Sequence, residues 1–253
     1  MTLIKVMTYN IAHGRRQTLN QLLLKPERIR KNLDAIAKLI QSVDADIVAL
    51  QEADGPSNWS GNLNHVEYLA KQAMYSHHFR GEHSHLKTRN YTIDYGTALL
   101  SNYRLNGTKS IPFRLNKRDT KGMVIGEVHL AERPEQSITA VSLHLDFLSR
   151  SIRKQQIEIA IQSLAEISGP LIVMGDFNCT WKTSRKLLEK FITRLELDCF
   201  EPQMQQLTYP SRKPRKRIDW VFFSKHFEII NHFTLDDTAS DHLPVVCEFG
   251  INY

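Results

Sequence analysis

Cysteine is scarce in this sequence, which contains only Cys179, Cys199 and Cys247 among its 253 residues. The three lie far apart, their number is odd and no C-x-x-C pair occurs. The pattern therefore indicates neither a zinc site nor a disulfide framework. Cysteines used in this way are typical of proteins in a reducing compartment.

Long apolar runs are missing as well. No stretch approaches the roughly eighteen consecutive apolar residues of a membrane-spanning helix. The chain begins with a strand-like segment, "LIKVMTYN", without the basic and apolar regions of a signal peptide. We therefore expect a soluble, cytoplasmic protein, although export without a signal sequence would leave no mark here.

Nothing in the sequence divides it into parts. Fixed-period repeats, low-complexity tracts and Ser/Gly linkers are absent, which predicts one domain over residues 1–253, and we expect a monomer. The charge is mildly positive, with 33 Lys and Arg residues against 27 Asp and Glu residues. This balance favours anionic partners such as nucleic acid, phosphorylated small molecules or acidic membranes, without selecting one of them.

Two hydrophobic patterns alternate along the chain. Short apolar runs bounded by polar clusters predict strands over residues 3–9, 46–51, 96–101, 122–130, 137–144, 170–175, 217–223 and 243–249. Apolar residues at helical spacing predict helices from Pro26, from Arg150 to just before Gly169, and over about Lys182 to Leu195. Strands interspersed with a few helices indicate an α+β architecture, with helices outside sheets that pack on each other.

Three segments have the polar composition of long loops: residues 53–65, 76–94 and 208–217. Loops of this length in a compact domain are often functional. The second contains four closely spaced histidines, His77, His78, His83 and His85. Because no pattern of carboxylates accompanies them, we favour a solvated loop over a metal site.

Polar residues follow or begin several of the apolar runs. They are Asn10, Glu52, His144, Asp146, Asp176, Asn178, Asp219, Asp241 and His242. A site built on a rigid scaffold draws its residues from such positions. Asp146 is as readily the start of the helix that follows, so we leave it out of the candidate set.

The chemistry of this set is that of phosphate esters. Oxygen ligands without thiolates suit Mg²⁺ or Mn²⁺, and Mg²⁺ takes only one or two protein carboxylates beside water and phosphate oxygens. Glu52 is a natural primary ligand. An Asp could deprotonate an attacking water, Asn side chains could fix that water, and histidines could bond the non-bridging oxygens. The residues themselves indicate metal-assisted phosphoester hydrolysis.

Six short motifs occur in a characteristic order: "TYN", "QE", "SLHLD", "GDFN", "RIDWVF" and "SDHLPV". Together they resemble the endonuclease/exonuclease/phosphatase superfamily over residues 8–245, nearly the whole chain. The resemblance implies a deoxyribonuclease I-like, four-layered α/β sandwich in which two β-sheets pack face to face between helices. It also implies a divalent-metal site at one edge, with Asn10, Glu52 and Asp241 contributing to metal binding.

The resemblance also implies roles for five catalytic residues. Asp176 would activate the water with help from Asn178. Asp219 would orient His242, which binds the scissile phosphate. His144 matches the position where deoxyribonuclease I and sphingomyelinase relatives have His and abasic-site endonucleases have Tyr.

Each residue taken alone also has a structural explanation. Asp176 and Asn178 could form an Asx-turn before a helix, and Glu52 could be an exposed charge at a strand end. Asp219 differs, because an unpaired carboxylate inside the apolar run "IDWVFF" would be costly to bury, so a partner such as His242 is expected on physical grounds.

A basic cluster, Arg212 to Arg217, precedes the Asp219 strand. Such a run is usually a solvated loop, but its position predicts phosphate contacts by Arg215, Lys216 and Arg217. We expect a Mg²⁺-dependent phosphodiesterase acting on nucleic acid, with Mn²⁺ as an alternative metal. The competing hypotheses are a phospholipid or small phosphoester as substrate, and a non-catalytic nucleic-acid-binding module.

Overall fold

The computed structural model describes residues 2–20, 23–87, 92–116, 119–130, 136–204 and 206–251. The α-helices found there are α1 (Pro26–Val43), α2 (His65–Gln72), α3 (Arg150–Leu164) and α4 (Trp181–Arg194). The strands are β1 (Thr2–Asn10), β2 (Ile47–Gln51), β3 (His77–Arg80), β4 (Ser84–Lys87), β5 (Thr92–Tyr95), β6 (Ala98–Ser101), β7 (Arg104–Pro112), β8 (Gly122–His129), β9 (Ser137–His144), β10 (Leu171–Asp176), β11 (Leu197–Cys199), β12 (Asp219–Ser224), β13 (Phe227–Thr234) and β14 (Val245–Ile251).

Two six-stranded sheets form the centre of the fold. The first has the order β13-β14-β1-β2-β6-β3 and the second β11-β12-β10-β9-β8-β7, while β4 and β5 form a separate hairpin. Each large sheet is mixed, because β1 pairs with β2 in parallel and β9 with β10 in parallel, whereas their other neighbours are antiparallel. Parallel neighbours end at the same edge of a sheet. The ends of β1 and β2 therefore lie together in the first sheet, and the ends of β9 and β10 lie together in the second.

The apolar side chains lie in three layers. Between the sheets, Val6 and Ile47 of the first pack with Ile172 and Val221 of the second. Outside the first sheet, α1 and α2 cover its other face, and α3 and α4 cover the outer face of the second. This arrangement confirms the predicted α+β fold, a four-layered sandwich of two packed sheets flanked by helices.

The helices follow from their sequences. In α1, Ile29, Leu33, Ile36 and Ile40 repeat at helical spacing and are buried, and Pro26 occupies the first turn, where its missing N–H costs nothing. In α4, the side chain of Thr180 caps the helix by accepting from the amide of Thr183. No helix in the described part of the chain has the length and apolar character that a membrane span requires.

All eight predicted strands and all three predicted helices are present, with ends within about two residues of those expected, except that α3 ends at Leu164, several residues before Gly169. Residues 76–94, predicted as a loop, instead contain β3, β4 and β5, with residues 88–91 outside the described part. The expectation of a solvated histidine loop is wrong for His83, which is only 2% exposed. Strands β7 and β13 carry many exposed polar residues at sheet edges, so they lack the apolar run that identifies a central strand.

Candidate active site

Strand register brings the predicted residues to one edge of the sandwich. Asp176, the last residue of β10, lies opposite His144 of β9 and also opposite Asp219 of β12. On the facing sheet, Asn10 ends β1, and its amide Nδ2 donates to Asp176 Oδ2 at 3.1 Å. A single carboxylate therefore links the two sheets at this edge.

The turn at Asp176 depends on the glycine before it. Gly175 has φ of +151°, and a Cβ there would lie 1.9 Å from the carbonyl oxygen of Leu143. Asp176 Oδ1 accepts from the backbone amide of Asn178 at 2.9 Å. The Asx-turn is thus present beside the site, and Asn178 donates its side-chain amide to the Leu145 carbonyl at 3.0 Å.

Asp219 and His242 form a buried pair. His242 Nδ1 lies 2.9 Å from Asp219 Oδ2, and its Nε2 lies 3.8 Å from Asp176 Oδ2. Burial alone would lower the pKa of His242, but the carboxylates of Asp219 and Asp176 outweigh it and raise that pKa to about 10. His242 is therefore an imidazolium near neutral pH, held by Asp219 and directed toward Asp176.

Asp176 has an unusual environment for a carboxylate. It is 2% exposed, and burial together with the neighbouring charge of Asp219 raises its pKa above the ordinary value. His144 Nε2 lies 3.5 Å from Asp176 Oδ2. A carboxylate with a raised pKa is a stronger base than a solvated one, which suits it for accepting a proton from water.

Glu52 directly follows β2, and its backbone has a left-handed conformation with φ of +53°. His13 Nε2 is 3.2 Å from one of its carboxylate oxygens and Lys121 Nζ is 3.8 Å from the other. Burial favours the neutral acid, but these two groups outweigh burial and hold the pKa of Glu52 well below its usual range. Glu52 is therefore ionised throughout the neutral range.

His13 and Lys121 were not among the predicted residues. His13 lies between two carboxylates, since its Nδ1 is 2.8 Å from Asp54 Oδ2. Lys121 Nζ lies 3.0 Å from His144 Nε2, and burial followed by the charge of Lys121 lowers the pKa of His144, which keeps that imidazole neutral. His13 could have been suspected from its position three residues after Asn10, whereas Lys121 has no signal in the sequence.

The three predicted substrate-binding residues have different positions. Lys216 lines the same open cleft as Asp176. Arg215 is exposed and is not part of the lining of that cleft. Arg217 is 5% exposed; its guanidinium stacks 4.2 Å above Trp220 and donates to the carbonyls of Phe200 and Glu201. The expectation that Arg217 contacts phosphate is therefore corrected, because its side chain is used inside the fold.

A cleft of about 510 Å³ is lined by Glu52, His144, Asp176, Asn178 and His242, and a smaller cavity of about 140 Å³ adjoins it at Glu52 and His144. The cleft also presents basic and aromatic side chains, namely Arg15, Arg153, Lys216, Tyr209 and Phe147. Phe147 is 63% exposed. Asp241 lines the cleft too, with Oδ2 accepting from Arg15 at 2.6 Å.

The donor set at this edge fits a hard divalent cation. Glu52 is ionised, and Asn10, Asp176 and Asp241 add further oxygen donors without any thiolate. Asp219 and His242 also lie close to Asp176, but they bond each other. A second group, Glu82, His85 and Asp94, has ligand atoms close together, yet Arg80 already binds both oxygens of Asp94.

Comparisons with known proteins agree with this geometry. A model of the Endonuclease/Exonuclease/phosphatase family matches residues 7–242, while no curated protein sequence matches the chain. Human nocturnin, solved as its catalytic domain with bound sulfate, is 22% identical with a TM-score of 0.71, covering 99% of this chain and 95% of that one.

Two Bacteroides structures are also similar. A mannosyl-6-phosphatase from Bacteroides thetaiotaomicron is 15% identical with a TM-score of 0.75, covering 98% of this chain and 100% of that one. An endonuclease/exonuclease/phosphatase from Bacteroides vulgatus is 17% identical with a TM-score of 0.77, and each chain is covered completely, at 100%. At these identities the similarity concerns the fold.

Proposed function

The chain belongs to the endonuclease/exonuclease/phosphatase family, whose members hydrolyse phosphoesters, and we propose that it is a divalent-metal-dependent phosphodiesterase acting on nucleic acid. The observation that carries the proposal is the position of Asp176. Its carboxylate contacts Asn10 from the facing sheet and lies within 4 Å of both His144 and His242, at the wall of an open polar cleft.

The residues of this edge have complementary roles in the hydrolysis. Asp176 takes a proton from the attacking water, whose oxygen forms the new bond to phosphorus as the bond to the ester oxygen breaks in line; the leaving oxygen takes its proton from solvent. The imidazolium of His242 donates from Nε2 to a non-bridging oxygen, and Asp219 fixes the ring through Nδ1. Asn178 lines the cleft and would help to position the water.

A cation held by Glu52, with Asn10 and Asp241 as further oxygen donors, would neutralise phosphate charge as it develops. Mg²⁺ is the expected ion, because it is satisfied by one or two carboxylates, and Mn²⁺ prefers the same ligand types. Lys121 and His13 hold Glu52 in its ionised form before any cation binds.

The preference for nucleic acid rests on the cleft's lining. Phe147 offers an exposed ring on which a base can stack, and Arg15, Arg153 and Lys216 offer positive charge for the backbone. A sugar phosphate would use the basic groups but would have no need for the ring. We place Asp176, Asn178, His144, His242 and Asp219 in the catalytic set, and retain Lys216 as a substrate contact.

The experiment is a substrate panel with purified protein in Mg²⁺, Mn²⁺ or EDTA. Plasmid DNA, single-stranded DNA, RNA, sphingomyelin and a chromogenic phosphodiester are incubated with the wild type and with Asp176→Ala. We expect metal-dependent cleavage of a nucleic acid that Asp176→Ala lacks. Turnover of sphingomyelin alone would overturn the nucleic-acid assignment, and binding of DNA without any turnover would favour a non-catalytic module.

A further inference from the structure

A further cavity, of about 340 Å³, shares Arg15 with the catalytic cleft. We call it the arginine pocket, because its lining includes Arg15, Arg16, Arg28 and Arg212, together with Asn32 and Thr238. These residues come from the segment after β1, from α1 and from the loops before β12 and β14. Separate parts of the chain thus bring positive charge to one concave place.

Hydrogen bonds hold the walls of the arginine pocket together. Arg16 Nε donates to the carbonyl of Thr238 at 3.2 Å, and Gln17 Nε2 donates to Ser211 Oγ at 2.7 Å. The side chain of Asn32, which is 2% exposed, donates to a carbonyl of the segment after β1 at 2.8 Å. The loops that carry Arg16 and Arg212 are therefore fixed relative to each other and to α1.

Three of the four arginines in the pocket form no ion pair within the described part of the chain. Arg15 is paired with Asp241, but within the described residues no carboxylate forms an ion pair with Arg16, Arg28 or Arg212. Guanidinium groups present planar sets of donors that match phosphate oxygens. A polar cavity with three such groups and no internal counter-ion is suited to an anion.

The arginine pocket is adjacent to the catalytic cleft. Arg15 lines both cavities, and the loop of residues 208–217 contributes Lys216 to the cleft and Arg212 to the pocket. The basic cluster seen in the sequence is thus divided between two places by the fold. A ligand with one phosphate at Asp176 and another beyond Arg15 would match the charge of both places.

We propose that the arginine pocket binds a second backbone phosphate of a polynucleotide whose scissile phosphate lies in the cleft. This assignment rests on the proposed function, since it extends the same substrate along the surface. A nucleic-acid chain supplies a phosphate at every nucleotide, and the exposed ring of Phe147 in the cleft favours such a chain over a small phosphorylated molecule.

The test uses a triple variant, Arg16→Gln/Arg28→Gln/Arg212→Gln, which leaves Arg15 and the catalytic residues in place. The matched control removes three exposed arginines from other surfaces, Arg104→Gln/Arg185→Gln/Arg194→Gln. Binding of a fluorescent single-stranded oligonucleotide is measured by anisotropy in EDTA at several salt concentrations. Turnover of a chromogenic phosphodiester with Mg²⁺ is measured in parallel.

We expect the triple variant to raise Kd at least about ten-fold and to reduce the slope of log K against log salt by about 0.7, because one phosphate contact of a single strand is lost. Turnover of the chromogenic diester should stay within about two-fold, and the control should change Kd less than the triple variant. Equal effects of the two variants, wild-type affinity in the triple variant, or an equal loss on the small diester would each overturn the proposal.

Failure of this proposal and of the proposed function can be told apart. If wild-type protein hydrolyses nucleic acid but the triple variant binds and cleaves normally, the arginine pocket is refuted while the hydrolase stands. If no substrate is hydrolysed but binding still depends on the three arginines, the pocket stands and the catalytic assignment is refuted.

Discussion

Replacing Asp219 by Asn tests the pair that it forms with His242. The two carboxylates near His242 raise its pKa from an ordinary 6.5 to about 10, which corresponds to about 5 kcal/mol in favour of the imidazolium. Asp176 remains in the variant, so Asp219→Asn removes only part of this energy, but it takes away the carboxylate that fixes the ring of His242. If the oriented imidazolium donates to the developing charge in the transition state, kcat should fall about 10²-fold, as when one such donor is lost.

The assay for Asp219→Asn is steady-state hydrolysis of the oligonucleotide with saturating Mg²⁺, beside an NMR titration of His242. We expect kcat to fall while KM changes little, and the pKa of His242 to decrease. Asp198→Asn, an exposed change on β11, is the control and should keep wild-type rates. Wild-type kcat in Asp219→Asn would refute the role given to the Asp219–His242 pair.

Three further predictions concern the turn, the pH dependence of stability and the cleft. Gly175→Ala should lower the free energy of unfolding by more than about 3 kcal/mol, because its Cβ would overlap the Leu143 carbonyl. Urea unfolding measures this loss. The control Gly169→Ala should not show it, because no atom lies within 4 Å of the Cβ that it would add. Burial, with Lys121 and Arg80, lowers the pKa of His83 to about 3. The unfolded state therefore binds the proton more readily, and stability is lost as pH falls below about 6.5. Between about pH 8 and pH 5 the free energy of unfolding of the wild type should fall by about 2 kcal/mol more than that of His83→Gln. Equal losses in the two proteins would contradict this. Phe147→Ala should raise KM for an oligonucleotide about 5- to 10-fold if a base stacks on the ring, whereas Leu148→Ala, at a residue that is 77% exposed and outside the cleft lining, should not.

The central site residues could be predicted because the hydrophobic pattern locates the ends of central strands. Asp176, His144 and Asp219 follow or begin buried runs, and the pairing of β9, β10 and β12 then aligns them side by side. Their proximity is a consequence of register, which is strongly determined where both faces of a strand are buried. Asp219 was identifiable on energetic grounds too, since its burial requires a partner.

Other features could not be predicted from local pattern. Lys121 lies before β8 in a polar segment. The pairing of β8 with β9 sets Gly122 opposite His144 and so brings Lys121 to that ring, and the packing of the two sheets brings it to Glu52. Arg217 belongs to a basic run that suggests solvent exposure, yet its planar guanidinium stacks on Trp220 and satisfies two carbonyls. Whether a long side chain points into the fold or away from it is decided by tertiary neighbours, which a run of charges does not reveal.

The central claim is that a divalent cation held by Glu52 supports hydrolysis at Asp176. The most direct test is the initial rate of oligonucleotide cleavage against Mg²⁺ concentration for the wild type, Glu52→Gln and the exposed control Glu127→Gln. We expect the wild type and Glu127→Gln to be inactive in EDTA and to saturate with Mg²⁺, and Glu52→Gln to require at least about ten-fold more Mg²⁺. Cleavage that persists in EDTA, or a Mg²⁺ dependence unchanged by Glu52→Gln, would contradict it.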